Sequence, residues 1–157
     1  MKTYDELENI IVERLSMELA KVSPLPKISE INEARSAITD TRIYVIYTGS
    51  KFTDSSQLGD FAQEETLTFE AYIQARTRDG KSGIFSVSEE AIERILKWRV
   101  PDSTERISLI SFGYVDGIQN SWQYMLKFSF PRLRIMREEL QDQKLIKKIT
   151  TNENLLS

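Results

Sequence analysis

The sequence predicts an α+β fold, in which a mainly antiparallel sheet of four strands carries helices packed on one face. Residues 122–130 alternate between apolar and polar side chains with a period of two, as a strand with one buried face requires. Residues 105–131 add a second strand and a central turn, which together indicate a hairpin. Two capping boxes elsewhere precede apolar residues at helical spacing. The elements therefore follow in the order helix, strand, strand, helix, strand, strand.

The first half of the chain supplies a helix and a strand. A capping box at residues 3–6 starts the helix, and apolar residues at four-residue intervals extend it for about five turns, to just before Ser23. The segment 27–40 is compatible with a short helix or with an irregular approach to the sheet. Residues 42–48 are β-branched and aromatic, which predicts a buried strand that ends at Gly49.

A polar loop, a strand and a second helix come next. Residues 49–63 are rich in Gly, Ser and Asp, which is typical of a functional loop or of an ordinary solvated connection. Alternation over residues 64–76 predicts a strand antiparallel to the preceding one. A capping box of Ser86 with Glu89 then starts a helix that runs to Trp98 and stops before the following proline.

The final hairpin has one strongly apolar face. In its first strand, Leu109 is expected on one face and Phe112 and Tyr114 on the other. In its second strand, the side chains on every other residue are expected to be buried under the helices. These are Trp122, Tyr124, Leu126, Phe128 and Phe130.

One domain is expected over residues 1–131, because a chain of 157 residues buries enough surface for a single core. Residues 132–157 are predicted to form a basic C-terminal segment, since seven Lys/Arg face four Asp/Glu from residue 121 onward. This segment is compatible with an amphipathic helix or with an arm that becomes ordered on contact with a partner.

Residue types that are absent exclude several classes of function. The chain contains no histidine and no cysteine, so it cannot build an imidazole metal site, a His-based triad, a thiolate nucleophile or a disulfide. The net charge of −3 argues against direct nucleic-acid recognition. No apolar stretch has the length of a membrane span, and the first residues lack a signal-peptide pattern. We therefore expect no cofactor, no metal and no membrane partner.

One motif suggests nucleotide chemistry. Residues 75–82 fit a permissive phosphate-binding-loop pattern that ends in Gly-Lys-Ser. In such loops the backbone amides wrap the phosphate and the chain runs directly into a helix. Here residues 83–85 separate the motif from the expected helix cap, and Asp79 would place a carboxylate at the phosphates. An ordinary turn is favoured, and a phosphate-loop nucleotide-binding enzyme stays as an alternative.

The succession of elements resembles the tail-completion or tail-terminator proteins of Mu-like and other long-tailed phages. The resemblance covers about residues 1–131 and is carried by the order of elements, by Tyr47-Thr48-Gly49 after the first strand and by Trp122-x-Tyr124 at the start of the last one. The chain departs from the family pattern at residues 98–102, where a glycine stop is expected, and in its C-terminal segment.

The resemblance implies a structural virion protein without catalytic activity. Such a protein forms a homo-oligomeric, hexameric ring, caps the finished tail tube and sheath, and presents the surface that joins the head. The implied partners are tube, sheath and head-tail connector proteins, in the virion tail and, during assembly, in the host cytoplasm. A contractile injection system in place of a phage tail stays open. So does a third possibility, a non-enzymatic adaptor that binds an acidic partner through the C-terminal segment.

Strand edges and the absence of an evident active site also favour an assembly role on their own. We predict that the sheet edges, together with the 50–63 loop and the C-terminal segment, carry the contacts. Arginines in the C-terminal segment can form fork-like pairs with acidic surfaces. The candidate contact residues are Lys51, Phe52, Asp54, Asp60, Phe61, Arg132, Arg134 and Arg137.

Overall fold

The computed structural model describes residues 1–25, 41–54, 59–116 and 121–135. The expectations for residues 27–40, for the C-terminal segment beyond residue 135 and for Arg137 lie outside the described residues. Within these ranges the elements are α1 (Tyr4–Leu15), β1 (Lys21–Pro24), β2 (Arg42–Thr53), a short 3₁₀ helix (Gly59–Phe61), β3 (Ala62–Ala75), α2 (Ile84–Ile95), β4 (Ser108–Tyr114) and β5 (Trp122–Ile135).

The predicted α+β class is confirmed, but the sheet differs from the prediction. It has five strands in the order β1-β2-β3-β5-β4. β1 pairs in parallel with β2, and all the other pairs are antiparallel, so the sheet is mixed. The four predicted strands are all present, and β1 is the one that sequence patterning missed.

Helix α1 begins as predicted and ends early. The Thr3 hydroxyl accepts from the Glu6 amide at 3.4 Å, and the Glu6 carboxylate accepts from the Thr3 amide at 2.8 Å, which confirms the capping box. The helix stops at Leu15, not just before Ser23. Leu19, expected to continue the apolar stripe, is exposed instead. The chain turns after Leu15, and Lys21–Pro24 then form strand β1.

Strand β2 continues through Gly49, where the sequence predicted its end. Tyr47 lies opposite Phe69 and Gly49 lies opposite Thr68, so β2 holds one extra residue at this point. Such a bulge suits glycine, and Gly49 has a φ of +152° that side chains rarely adopt. The glycine is a bulge inside a longer strand, and the strand takes up the first residues of the predicted loop.

Helix α2 begins at Ile84 with Gly83 as its N-cap and without a side-chain cap. The predicted capping box of Ser86 and Glu89 is wrong, because both residues lie inside the helix. Gly83 is required by space: a Cβ built there would lie 2.8 Å from the carbonyl oxygen of Arg78. The tight turn before the helix therefore fixes its start.

Strands β4 and β5 form the predicted hairpin. A register shift between Leu109 and Ser111 places Leu109 opposite Phe128 and Phe112 opposite Leu126. Because Phe128 and Leu126 share a face of β5, Leu109 and Phe112 also share one, and the prediction that they lie on opposite faces is wrong.

The core lies between one face of the sheet and both helices. α1 packs on β1 and β2, α2 packs on β3 and β5, and the two helices contact each other. Phe69 of β3 stacks against Phe128 and Phe130 of β5, with ring centroids 6.1 and 5.5 Å apart. Of the predicted buried face of β5, Leu126, Phe128 and Phe130 are buried, whereas Trp122 and Tyr124 are partly exposed. The edge strand β4 has no substantial contact with either helix.

Candidate assembly surface

Most of the predicted contact residues come together at one end of the sheet. Phe52 of β2 lies opposite Glu65 of β3, which lies opposite Arg132 of β5. Lys51 and Asp54 flank Phe52 and are exposed, and Phe61 precedes β3 at the same end. We call residues 50–54, 61–65 and 131–135 the distal end of the sheet. The side chain of Asp60 lies outside the described residues.

Arg132 is a buried residue and is not available to a partner, contrary to the prediction. Its Nε atom lies 2.7 Å from Oε1 of Glu65, and the two side chains are 1% and 0% exposed. Its Nη1 atom donates to the carbonyl oxygen of Lys2 at 2.7 Å. β5 continues through Pro131 to Ile135, so strand alternation places Arg132 on the same face as Phe130. The predicted C-terminal segment thus begins inside the sheet.

Arg134 is held in place but stays accessible. Its Nε atom lies 3.1 Å from Oε1 of Glu65, its Nη2 atom donates to the Tyr4 hydroxyl at 3.1 Å, and its side chain is 42% exposed. Arg134 is therefore accessible to a partner, with a guanidinium already oriented by the fold, whereas Arg137 lies outside the described residues.

Glu65 is the centre of this polar network. Oε2 of Glu65 accepts from the Tyr4 hydroxyl at 2.6 Å and from the Ser50 hydroxyl at 2.8 Å. Burial raises the pKa of Glu65, but the hydrogen bonds from Tyr4, Arg132, Ser50 and Arg134 outweigh it and lower the pKa to about 2. We call this the Glu65 cluster: Glu65, Arg132, Arg134, Tyr4, Tyr47 and Ser50.

The Glu65 cluster ties the start of α1 to three strands. The Tyr4 and Tyr47 rings stack at 4.1 Å, and the Tyr47 hydroxyl hydrogen-bonds the Ser50 hydroxyl. The sequence contains a signal for this ion pair. Glu65 falls on the alternate positions of β3 whose side chains are buried, and Arg132 falls on the buried positions of β5. Charged residues in the buried phase of two strands indicate an internal ion pair.

Strand β4 is a free edge, and no residue of it was among the predicted contacts. Within the described ranges it pairs with β5 alone. Edge strands usually carry charges or proline that prevent pairing with other chains, and Ser108–Tyr114 contains neither. Instead, Ile110, Phe112 and Tyr114 are 52, 38 and 57% exposed. An uncharged strand was visible in the sequence, but its place at the edge was not.

The exposed aromatic side chains of β4 are supported by their neighbours. Phe112 stacks on Tyr124 at 5.0 Å, and Tyr114 meets the edge of Trp122 at 6.2 Å. The guanidinium of Arg78 lies 5.5 Å from the centre of the Trp122 ring. These contacts fix the aromatic surface before any partner arrives, which lowers the entropic cost of binding.

The opposite side of the sheet has a second free edge. β1 covers only Arg42–Val45 of β2. The amide of Tyr47, which faces outward, donates to the Glu8 carboxylate at 2.8 Å. Beyond it, β2 residues 49–53 have no strand neighbour on their outer side in the described part of the chain.

The turn that fits a phosphate-binding-loop pattern is partly closed by its own backbone hydrogen bonds. Helix α2 follows it directly, so the sequence argument that residues 83–85 separate the motif from the helix is wrong. However, the Gly83 amide donates to the Gly80 carbonyl at 3.1 Å, and the Ile84 amide donates to the Thr77 carbonyl at 3.0 Å. The first two amides after the motif, at the start of the helix, are therefore bonded within the turn and not available to a phosphate.

Comparison with known proteins places the chain in a phage context. A family model described as Gp37 protein matches residues 11–154, which is most of the chain, and this match indicates a phage-associated family. No curated relative matches significantly. Among the described residues, no helix is long and apolar enough to span a membrane, and no group of three or more Asp or Glu side chains is placed to hold a metal ion.

Proposed function

The chain belongs to the phage-associated Gp37 protein family, and on that premise we propose that it is a structural, non-enzymatic protein of the phage tail. Its role is that of a tail terminator: a homo-oligomeric ring, a hexamer, that caps the tail tube and forms the surface to which the head joins. In a contractile tail the ring also contacts the sheath. Its site of action is the virion tail, after assembly in the host cytoplasm.

The observation that carries this proposal is the free edge of β4. The strand has an unpaired backbone edge, no charged side chain and three exposed apolar side chains. Such a surface pairs readily with another chain. Within the part of the chain that the structure describes, nothing covers this edge in a single subunit. Assembly into a closed ring covers the same edge in every subunit.

The distal end of the sheet supports contacts with other tail proteins. Ile135 is exposed there, beside the oriented guanidinium of Arg134. Exposed apolar residues next to an anchored arginine are typical of protein interfaces. We assign the part of this end formed by β3 and β5, residues 61–65 and 131–135, to tube, sheath or head-tail connector proteins, which leaves the outer edges of β2 and β4 for contacts between subunits.

Light scattering after size-exclusion chromatography tests the ring directly. We expect a particle of about six times the 18.2 kDa mass of the chain, and rings with a central hole in negative-stain images. The purified ring should also bind the ends of assembled tail tubes. A protein that stays monomeric at micromolar concentration contradicts the ring. A ring that does not bind tube ends contradicts the terminator role.

A separate experiment tests for nucleotide chemistry. Lys81→Ala should leave stability and particle mass unchanged, because Lys81 lies exposed on a turn. The parent should neither bind nor hydrolyse ATP in calorimetric and phosphate-release assays. Lys97→Ala, another exposed lysine, is the matched control. Saturable magnesium-dependent ATP binding that Lys81→Ala alone abolishes would overturn the structural assignment.

A further inference from the structure

We propose that the ring closes by strand addition: β4 of one copy pairs with residues 49–53 of β2 in the next copy, so that the sheets of all subunits join. This inference rests on the proposed function for its premise that the chain forms a ring. It specifies the two surfaces that meet, the direction of the strands and the side chains at the joint.

The two edges lie where a ring needs them. In the order β1-β2-β3-β5-β4, the free part of β2 and the whole of β4 face away from each other on opposite sides of one sheet. A ring is built by heterologous contacts, in which one surface of a subunit binds a different surface of the next. Every copy then has both of its free edges covered, whereas pairing of β4 with β4 would leave the β2 edge open.

The strand directions also agree. β2 is antiparallel to β3, β3 to β5 and β5 to β4, so β2 and β4 run in opposite directions within one subunit. Phe52 is level with Arg132 of β5 and Phe112 is level with Leu126, so a second copy placed beside the first in nearly the same orientation is also displaced along the strands by about six residues. β4 of one copy then meets β2 of the other as an antiparallel pair, which is the more stable arrangement. Each of the two strands contains a bulge, and the pair forms around both.

The side chains at the joint match. Phe52 lies opposite Glu65, and Phe112 lies opposite Leu126, so both aromatic rings project from the face of the sheet that carries the helices. Both are partly exposed in the single subunit. Cross-strand aromatic pairs stabilise antiparallel strands, so the joint buries two rings that the fold leaves open.

Thiol cross-linking tests the pairing, since the natural chain contains no cysteine. With Phe52 opposite Phe112, Thr53 lies opposite Ser111, and both residues are exposed in the single subunit. The variant with Ser111→Cys on β4 and Thr53→Cys on β2 is treated with a short bifunctional thiol reagent and run on a denaturing gel. Directly paired residues have Cβ atoms about 5 Å apart, so we expect a ladder of cross-linked subunits that ends at the full ring. The matched control combines Thr53→Cys with Glu93→Cys on the exposed side of α2 and should give no ladder.

Each outcome decides the inference. Dimers from Ser111→Cys alone would show that β4 pairs with β4, which overturns it. Rings of unchanged mass without a ladder overturn the strand pairing and leave the proposed ring intact. A parent protein that never forms rings overturns the proposed function and this inference together.

Charged substitutions at the edge give an independent test. The double variant Ile110→Lys with Tyr114→Lys places two charges on exposed positions of β4, so the single subunit should still fold, which circular dichroism at a dilution that gives single subunits checks for variant and parent alike. We expect its particle mass to fall from that of the ring to that of the single chain. Leu96→Lys makes the same change at a comparably exposed apolar residue at the end of α2 and should keep the ring. Ring formation by the double variant would overturn the assignment of β4.

Discussion

Replacing Glu65 with glutamine is expected to destabilise the subunit by about 3–5 kcal/mol, because the change leaves Arg132 charged and buried without its partner. The carboxylate accepts from two arginines and two hydroxyl groups, and a neutral amide cannot satisfy the same donors. Urea denaturation of the two proteins, followed by circular dichroism, measures the difference.

The control for this prediction is the neighbouring residue. Glu64 is exposed and points to the other face of β3, so Glu64→Gln should change the free energy of unfolding by no more than about 0.5 kcal/mol. Equal stability of the Glu65→Gln variant and the parent would mean that the ion pair contributes nothing that an amide cannot replace.

The same pair of proteins gives a pH signature. The pKa of Glu65 is about 2 in the folded subunit, below its ordinary value of 4.5, so its contribution to stability is present above pH 4.5 and is lost as the pH falls towards 2. The stability gap between parent and Glu65→Gln should therefore be widest above pH 4.5 and narrow on acidification. A gap that stays constant down to about pH 2 would contradict the lowered pKa.

Long periodic segments are the part of the fold that the sequence predicts well. The alternation in β3 and β5 determines which side chains are buried, and the Thr3 capping box determines where α1 begins. Strand β1 could not be predicted, because four residues are too few to show an alternation of apolar and polar side chains. Leu19 also continues the helical spacing of apolar residues past the true end of α1. Whether these residues extend helix α1 or form strand β1 is decided by their packing against β2, which depends on the tertiary fold.

Partners that are distant in the chain explain the other differences. Glu65 and Arg132 are 67 residues apart, and the ion pair exists because β5 is the neighbour of β3. The same insertion of β5 between β3 and β4 places β4 at the edge of the sheet. A hairpin in the sequence shows that two strands pair, but it does not show which of them has a free outer side. The strongest candidate surface could therefore be located only in the folded chain.

Truncation of Phe128 to alanine is expected to cost about 3–5 kcal/mol, through lost transfer free energy and the cavity that remains. Phe128 is fully buried on a strand with neighbours on both sides: it lies opposite Phe69 of β3 and opposite Leu109 of β4. Its ring stacks on that of Phe69 with an angle of 12° between the planes, so few neighbours can move into the space. Thermal and urea unfolding of the variant measure the loss.

Phe52→Ala is the matched control, because it removes the same side chain from an exposed position of the same sheet. Both variants are compared at a dilution where light scattering shows single subunits, so that assembly does not add to stability. Phe52→Ala should then unfold like the parent, since its ring is lost from the surface and not from the core. If Phe128→Ala also unfolded like the parent, the face of β5 under the helices would not be the core of this protein. The outward face of the sheet would then have to supply the buried surface that holds the subunit together.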